Sequence, residues 1–346
     1  MEQKERNELF LFDNELTPTK KTLWGLPFNY TNSDLVIIPV PWEVTVSFRT
    51  GTAKAPEAVL EASLHVDLYD DLYSTVWKRG IAMLPVLEDL KQEGIRLRLL
   101  AEPLMLECTN LRWSEKLEQA RKDVNHGCAK MVDWVKSQSE DLIEKGKVPA
   151  VLGGDHSCAL GLIQAVSDHV HEFGILQIDA HLDLRKSYQG FSFSHASIMF
   201  NALNCESLKK LVQVGIRDCS SKEIEMVVGN RDRAHLFEGR TLWRRRFLGA
   251  SWRDLCKEII ENLPEVVYIS FDIDGLDMSQ CPSSGTPIPG GLMFEEALFL
   301  IDEIVASGRT IVAFDLSEVT PGTDLSDAHT GARLLYRLSC ATLASQ

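Results

Sequence analysis

Short runs of consecutive apolar residues recur along the chain and predict buried strands. Each run is apolar on both of its faces, as expected for a strand that helices cover from two sides. The predicted strands are residues 35–38, 149–152, 174–178, 211–215, 266–271 and 310–314.

Stretches with helical periodicity alternate with these runs. They lie at residues 56–63, 114–145, 158–171, 254–262, 294–306 and 328–343. This alternation predicts an α/β protein with three αβα layers and a doubly wound, mainly parallel sheet. We expect an N-terminal arm over residues 1–33 and one catalytic domain over 34–346. Residues 78–110 are ambiguous, and the arginine-rich segment 231–252 is interpreted as a solvated excursion.

Polar residues interrupt the apolar pattern directly after four of the predicted strands. Ligands of parallel α/β sheets bind beyond the carboxyl ends of the strands, so these interruptions mark a candidate site. The four segments are Gly153-Gly154-Asp155-His156-Ser157, Asp179-Ala180-His181-Leu182-Asp183, Asp272-Ile273-Asp274-Gly275 and Asp315-Leu316-Ser317-Glu318.

The spacing of the acidic residues predicts a dinuclear metal site. In extended backbone, Asp179, His181 and Asp183 point to one side, and so do Asp272 and Asp274. Four carboxylates in a buried crevice repel one another strongly unless cations neutralise them. Two divalent cations would balance their charge. A ligand set rich in carboxylates with two imidazoles favours Mn²⁺, with Ni²⁺ or Zn²⁺ as alternatives.

The composition of the chain indicates which kinds of binding partner and which cellular compartment to expect. The chain has 346 residues, 45% of them hydrophobic, and a formal net charge of -14, which disfavours nucleic acid but not a small cationic substrate. Its eight cysteines are scattered without C-x-x-C pairs, as is typical of reduced thiols. No apolar run approaches the ~18 residues of a membrane span. These features predict a cytoplasmic protein with no membrane contact.

The motifs together resemble those of the ureohydrolase (arginase/agmatinase) family, and the agmatinase-like branch is the nearest. The resemblance covers nearly the whole chain from about residue 34. It implies the arginase-like fold, a homotrimer or homohexamer, and two Mn²⁺ per subunit. Further segments that carry it are Gly51-Thr52-Ala53-Lys54-Ala55-Pro56, Val214-Gly215-Ile216-Arg217, Ser284-Gly285-Thr286-Pro287 and Ser270-Phe271 before Asp272.

The resemblance also implies the role of each ligand. One histidine and one aspartate bind each metal, and two further aspartates bridge both metals. The implied ligands are His156 and Asp183 for one metal, His181 and Asp274 for the other, and Asp179 and Asp272 as the bridges.

Two further residues acquire roles from the resemblance. Glu318 corresponds to the carboxylate that holds the guanidinium group of the substrate, and His195 to a histidine that shuttles protons. Relatives have glycine after that histidine, whereas this chain has Ala196. The implied reaction is hydrolysis of a guanidino C–N bond by metal-activated water, with Asp274 or His195 passing a proton to the departing nitrogen. Its products are urea and an amine.

The segment after Asp183 bears on the substrate. Arginases have an asparagine there that binds the α-carboxylate of L-arginine, whereas this chain has Leu184-Arg185-Lys186, so L-arginine is disfavoured. We interpret Arg185 and Lys186 as a solvated loop rather than a site for an anionic tail. The histidines outside the motifs are interpreted as surface or packing residues, and the roles of His65 and His329 are left open. The surface or packing group is His126, His169, His171 and His235.

Several functions share this pattern. A hydrolase of formimidoylglutamate, guanidinobutyrate or free guanidine would use the same ligands. A metal-dependent deacetylase has a related sheet but needs one metal. A regulatory subunit of a ureohydrolase complex is the non-enzymatic alternative, although such subunits lose ligands and this chain keeps all six.

Overall fold

The computed structural model describes residues 21–107 and 115–346. Its strands form one sheet, and its helices cover both faces of that sheet. The strands are β1 (Leu35–Val40), β2 (Ile81–Met83), β3 (Val148–Gly153), β4 (Phe173–Ile178), β5 (Leu208–Val214), β6 (Ala234–Phe237), β7 (Val266–Asp272) and β8 (Thr310–Ser317). The helices are α1 (Ala55–Ser63), α2 (Glu88–Glu107), α3 (Glu115–Glu144), α4 (Leu160–His169), α5 (Ile198–Ala202), α6 (Ser221–Gly229), α7 (Gly239–Phe247), α8 (Trp252–Glu261), α9 (Phe294–Ala306) and α10 (Ser326–Ala344).

The sheet is parallel throughout its described strands, in the order β2-β1-β3-β8-β7-β4-β5-β6. The four strands that precede the polar segments, β3, β8, β7 and β4, are neighbours in the middle. Their registers bring the strand ends level, because Asp272 pairs with Ser317 and Phe271 with Ile178. All four polar segments therefore leave the sheet at one edge.

Two hydrophobic cores lie on opposite faces of the sheet. Leu35 and Ile37 of β1 belong to the core that α1 and α7–α10 cover. Val36 and Ile38, which alternate with them, belong to the core under α2–α6. Both faces of the central strands are thus buried, as their apolar sequences predict, and the three-layer α/β architecture is confirmed.

The six predicted strands are confirmed as β1, β3, β4, β5, β7 and β8, whereas β2 and β6 were not predicted. β2 has only three residues. β6 lies at the sheet edge, and only Ala234 within it is fully buried. The ambiguous stretch contains β2 and α2. The described residues do not include residues 1–20 of the predicted arm. They also do not include residues 108–114, which contain Ser114, the predicted start of a helix.

The interpretation of residues 231–252 as a solvated excursion is wrong, because β6 and α7 lie within it. The guanidinium of Arg246 stacks on Trp243 at 4.5 Å and on Trp252 at 5.6 Å, and it forms an ion pair with Glu296. Arg245 forms an ion pair with Glu258. These pairings anchor α7 against the neighbouring helices.

Two smaller expectations concern thiols and membranes. The seven cysteines in the described part of the chain are free thiols, in agreement with the predicted reduced state. Across residues 21–107 and 115–346, no helix has the length and apolarity needed to cross a bilayer.

Candidate metal centre and active site

A tight turn after β3 brings His156 into the crevice. The Gly154 amide donates to Val40 O at 2.8 Å, and the Asp155 amide donates to Trp42 O at 2.8 Å. A Cβ at position 154 would lie 1.7 Å from Trp42 O, so only glycine allows this approach. The turn therefore places the His156 imidazole at the centre of the site, where it is buried.

The segment after β4 folds on its own side chains. Asp179 accepts a hydrogen bond from the His181 amide at 2.7 Å, which closes a side-chain turn. Asp183 has φ +52°, in the left-handed region that non-glycine residues rarely occupy. Backbone strain of this kind concentrates at functional sites, and here it directs the Asp183 carboxylate toward His156.

The segment after β7 differs from the extended geometry that its spacing suggested. Asp272 ends the strand, but Asp274 lies in a single 3₁₀ turn, Ile273–Gly275. The two side chains still converge, because Asp272 Oδ1 accepts a hydrogen bond from the Asp274 amide at 2.9 Å. Asp274 Oδ1 in turn accepts one from the Ala180 amide at 3.1 Å, which joins the segments after β4 and β7.

The side chains meet in two overlapping triads, in each of which all ligand atoms lie within 4.8 Å of one another. Asp179 belongs to both triads. The triads are His156–Asp179–Asp272 and Asp179–His181–Asp274.

Shorter distances complete the cluster. His156 Nδ1 is 2.9 Å from Asp183 Oδ2 and 3.2 Å from Asp179 Oδ2. His181 Nδ1 is 3.2 Å from Asp274 Oδ2. The structure thus brings together all six residues that the sequence singled out as ligands.

The charges of this cluster are not balanced by the protein alone. Burial raises the pKa of Asp272 well above its usual range, and the neighbouring carboxylates of Asp274 and Asp179 raise it further. Burial, followed by the Asp179 charge, raises the pKa of Asp183 to about 7. Burial lowers the pKa of His156, but hydrogen bonds and charge from Asp179 and Asp183 outweigh it and hold that pKa well above its usual value. The site therefore takes up protons in place of missing positive charge, and its carboxylate and imidazole donors fit a pair of divalent cations.

Residues behind His156 fix the orientation of its ring. His156 Nε2 lies 2.8 Å from Ser270 Oγ and 3.8 Å from Asp315 Oδ1. The buried Tyr268 hydroxyl donates to Asp315 Oδ2 at 2.8 Å. Partners of this kind direct the other ring nitrogen toward a metal. Sequence reasoning quoted Ser270 and Asp315 within motifs but gave them no role.

A second group of supporting residues comes from the middle of the sheet. Gln177 Nε2 donates to Asp179 Oδ2 at 2.6 Å, and Gln213 Nε2 donates to Gln177 Oε1 at 2.6 Å. Arg217 donates to the Asp274 carbonyl at 2.5 Å, and its own amide donates to Ala180 O. The motif Val214-Gly215-Ile216-Arg217 therefore supports the segments after β4 and β7.

A cavity of about 160 Å³ opens in front of the cluster. Glu318 lines it, with φ +61° and only 7% exposure. Its Oε1 accepts a hydrogen bond from the His156 amide at 3.0 Å. Burial raises the pKa of Glu318 well above its usual range, and the charge of Asp155 raises it further. A bound cation next to Glu318 would stabilise the ionised carboxylate.

His195 lies on another wall of the same cavity. Its Nδ1 is 3.4 Å from Thr45 Oγ1 and 3.3 Å from Ser194 Oγ, and the edge of Tyr188 meets its ring at 5.8 Å between centroids. Burial, followed by the charges of His181 and His156, lowers the pKa of His195 to about 3. His195 is therefore neutral at physiological pH.

The remaining histidines are absent from the described cavity lining, as interpreted from the sequence. His65 and His329 contact each other, with ring centroids 5.8 Å apart. Arg185 and Lys186 lie in a loop, as interpreted from the sequence, but Arg185 also lines the cavity, whereas Lys186 is exposed. Lining residues that sequence reasoning missed include Phe48, Tyr188, Asp218, Cys219, Glu223 and Thr286.

The sheet edge, the paired triads and the cavity define an α/β enzyme centre built for divalent cations. The model of the arginase family matches residues 33–340 of the sequence. The chain belongs to the arginase family.

Individual relatives agree with this assignment. The chain is 30% identical to N(1)-aminopropylagmatine ureohydrolase of Thermus thermophilus over 318 residues, which covers 89% of each sequence. It is 28% identical to agmatinase of Neisseria meningitidis, covering 91% of this chain and 90% of that protein. Proclavaminate amidino hydrolase from Streptomyces clavuligerus superposes with a TM-score of 0.69 at 20% identity, covering 95% of this chain and 99% of that one.

These findings confirm three of the sequence-based predictions: the family, the arginase-like α/β fold and the enzyme class. The chain is a ureohydrolase, a hydrolase that acts on guanidino C–N bonds. The family depends on a binuclear metal centre, and the clustered aspartates and histidines supply donors for one.

Proposed function

We propose that this ureohydrolase uses two divalent cations to hydrolyse the guanidino C–N bond of a small substrate, releasing urea and an amine. The observation that carries the proposal is the pair of triads that share Asp179 and face a cavity containing Glu318. One shared carboxylate between two ligand groups is the arrangement expected of a bridging ligand.

The proposed metal ligands follow from the cluster. His156 and Asp183 would hold one cation, His181 and Asp274 would hold the other, and Asp179 and Asp272 would serve both. Mn²⁺ is the first candidate because carboxylates dominate the set, with Ni²⁺ and Zn²⁺ as alternatives. When bound, the cations supply Lewis-acid activation of water.

Glu318 provides the contact for the substrate's cationic head. Its carboxylate is buried, is held by the His156 amide and lies beside the metal cluster. A planar guanidinium can donate two parallel hydrogen bonds to a carboxylate, and this geometry would align its central carbon for attack. A regulatory subunit would not need this contact.

The proton that reaches the departing nitrogen requires a donor within the cavity. Asp274 is one candidate, since Thr286 Oγ1 and the Ala180 amide fix its carboxylate at the metal cluster. His195 is the other, because its ring lines the same cavity.

Agmatine is the first substrate to test, since curated relatives are named agmatinase and N(1)-aminopropylagmatine ureohydrolase. Guanidinobutyrate and free guanidine share the guanidino group. Formimidoylglutamate, whose formimino group would release formamide instead of urea, completes the panel. We further propose that the enzyme acts in the cytoplasm as a homotrimer or homohexamer.

Asp179→Asn tests the dinuclear assignment. Removing the charge shared by both triads should leave fewer than two bound metals and reduce turnover by at least about 10³-fold, measured by elemental analysis and urea release. Asp141→Asn, which changes an exposed aspartate on α3, should retain both metals and full activity. Two tightly bound metals and undiminished turnover in Asp179→Asn would refute the proposal.

Glu318→Gln tests the head-group contact separately. We expect both metals to remain bound while kcat/KM falls by about 10²-fold, since the charge-assisted hydrogen bonds are lost. Unchanged kcat and KM would exclude Glu318 as the guanidinium contact.

A further inference from the structure

One basic side chain stands out among the acidic groups around the cavity. Among the described residues that line it, Arg185 is the only lysine or arginine. Its amide donates to Ala196 O at 3.1 Å, which fixes the backbone of the loop between β4 and α5. Its side chain is 39% exposed and reaches the cavity wall.

An aromatic ring connects Arg185 to the reacting centre. The Arg185 guanidinium lies over the Tyr188 ring at 4.9 Å, and the edge of that ring meets His195. The guanidinium is thus held one aromatic ring away from His195. A substrate whose guanidino group lies at the clustered aspartates and histidines would extend its far end along the cavity wall that Arg185 and Tyr188 form.

The carboxylate of Glu223, the acidic neighbour of Arg185, already accepts hydrogen bonds from other groups. Glu223 is 4% exposed, and its carboxylate accepts hydrogen bonds from the Ser220 amide at 3.0 Å, the Ser220 hydroxyl at 2.7 Å and the Leu184 amide at 3.3 Å. Arg185 forms an ion pair with Glu223, with 3.5 Å between Nη2 and Oε2, which is longer than a good N–H···O hydrogen bond. In the part of the chain that the structure describes, the Arg185 guanidinium donates no hydrogen bond, so its N–H groups can bind a ligand.

The other acidic group at this wall is weakly placed to attract a cation. The side chain of Asp218 is 65% exposed, and its carboxylate lies 4.0 Å from His181 Nε2. Solvent screens an exposed carboxylate of this kind, whereas Arg185 is held in place by Tyr188. Arg185 is therefore the basic group that an anionic end of a substrate would meet at this wall.

We propose that Arg185 binds a carboxylate at the far end of the substrate, so that the preferred substrates are guanidino acids rather than guanidino amines. The planar guanidinium matches a carboxylate through two parallel hydrogen bonds. This inference rests on the proposed function and narrows it, since agmatine has an ammonium group at that end. Hydrolysis of a guanidino acid by water yields urea and an amino acid.

The test uses two substrates that share a guanidino head and differ at the tail. 4-Guanidinobutyrate ends in a carboxylate and agmatine in an ammonium group. With the full-length, Mn²⁺-loaded enzyme, kcat/KM should be higher for 4-guanidinobutyrate. Arg185→Gln should raise KM for 4-guanidinobutyrate by about 10- to 100-fold with a smaller change in kcat, and should leave agmatine unchanged or improved. Arg185→Lys should restore part of the preference.

Lys186→Gln is the matched control, because it removes the same charge from the exposed neighbouring residue. It should keep the wild-type ratio of the two kcat/KM values. A wild-type preference for agmatine, or an unchanged ratio in Arg185→Gln, would overturn the inference while urea release still supported the proposed function. Absence of urea from both substrates would overturn this inference, and the proposed function would be overturned as well if free guanidine also released no urea.

Discussion

His195 is held as a neutral imidazole in a wall of the cavity. Its pKa of about 3 follows first from burial and then from the positive charges of His181 and His156. His195 also lines the cavity in front of the clustered aspartates, and proton transfer by a positioned side chain contributes about 10²- to 10⁴-fold. The His195→Gln variant should therefore lose about 10²-fold in kcat while binding both metals, as urea release and elemental analysis would show.

His126→Gln is the control for that variant, since His126 is exposed on α3. It should match wild type in both measurements.

The lowered pKa of His195 also makes the free energy of unfolding depend on pH. The unfolded chain binds a proton at His195 near pH 6.5, whereas the folded protein binds one only near pH 3. The free energy of unfolding therefore decreases as pH falls from about 6.5 to about 3. Full turnover in His195→Gln would exclude the proton-transfer role.

At the scale of single residues, the sequence singled out the clustered aspartates and histidines together with Glu318 and His195, but not the rest of the cavity lining. His156, Asp179 and Asp272 interrupt apolar strands at their ends, and that interruption is visible without a structure. Tyr188 reaches the cavity from the loop between β4 and α5 and Glu223 from the first turn of α6, and only the tertiary fold brings them together. No periodicity or spacing in the sequence relates such positions.

One loop over the cavity depends on a helix that the sequence did not predict. Arg98 on α2 donates to the carbonyls of Glu43 and Val44 at 3.4 Å each, and also to that of Val46. The same loop contributes Val46 and Phe48 to the cavity lining. Arg98 is therefore placed to fix the loop against the substrate.

Arg98→Met should loosen this loop, because the variant keeps an aliphatic stem and loses the donors. We expect KM to rise about tenfold with both metals retained, since correct positioning of the substrate is lost. Arg96→Met is the matched control on the same helix, where the arginine is exposed and pairs with Glu93. Equal KM values in the two variants would show that Arg98 does not position the loop.

The turn after β3 makes a sharper demand on the backbone. Gly154→Ala would place a methyl group against Trp42 O and should cost at least about 2–3 kcal/mol of stability, with loss of metal at His156. Gly229→Ala, at the exposed end of α6 with open space around it, should be neutral or stabilising by about 0.5–1 kcal/mol. Thermal unfolding and elemental analysis distinguish these outcomes, and an unchanged Tm in Gly154→Ala would contradict the close approach.

At the scale of elements, long apolar strands and strongly periodic helices were predictable, whereas short or edge elements were not. β2 is too short for a pattern, and β6 has only four residues, three of them partly exposed and one of them a histidine. α2 contains Pro103 and many charges, which hide its helical period. These misses affect the site, since α2 carries Arg98 and the chain around β6 leads into α7.

The whole molecule folds around a buried cluster of aspartates and histidines. Without metals, burial and neighbouring carboxylates raise the pKa of Asp183 to about 7 and that of Asp272 well above its usual range. A carboxyl group whose folded pKa is raised stabilises the fold below its unfolded pKa, and that contribution is lost as pH rises through the folded value. His156, whose pKa is also raised, acts in the same direction above pH 6.5.

Metal-free protein should therefore become less stable as pH rises from about 5 to about 9. Metal-loaded protein should show the opposite slope, because the ligands bind cations in their deprotonated forms and bind them more tightly at higher pH. Tm measured across this range, in excess EDTA and in excess Mn²⁺, gives the two slopes directly.

The Asp272→Asn variant identifies the origin of the metal-free slope. Asparagine cannot ionise, so the variant in EDTA should lose stability less steeply with pH than wild type, and added Mn²⁺ should stabilise it less. Asp324→Asn changes an exposed aspartate and should reproduce both wild-type slopes. Parallel slopes with and without Mn²⁺ would mean that the clustered carboxylates do not hold the cations, because a cation that displaces protons from its ligands must change how stability depends on pH.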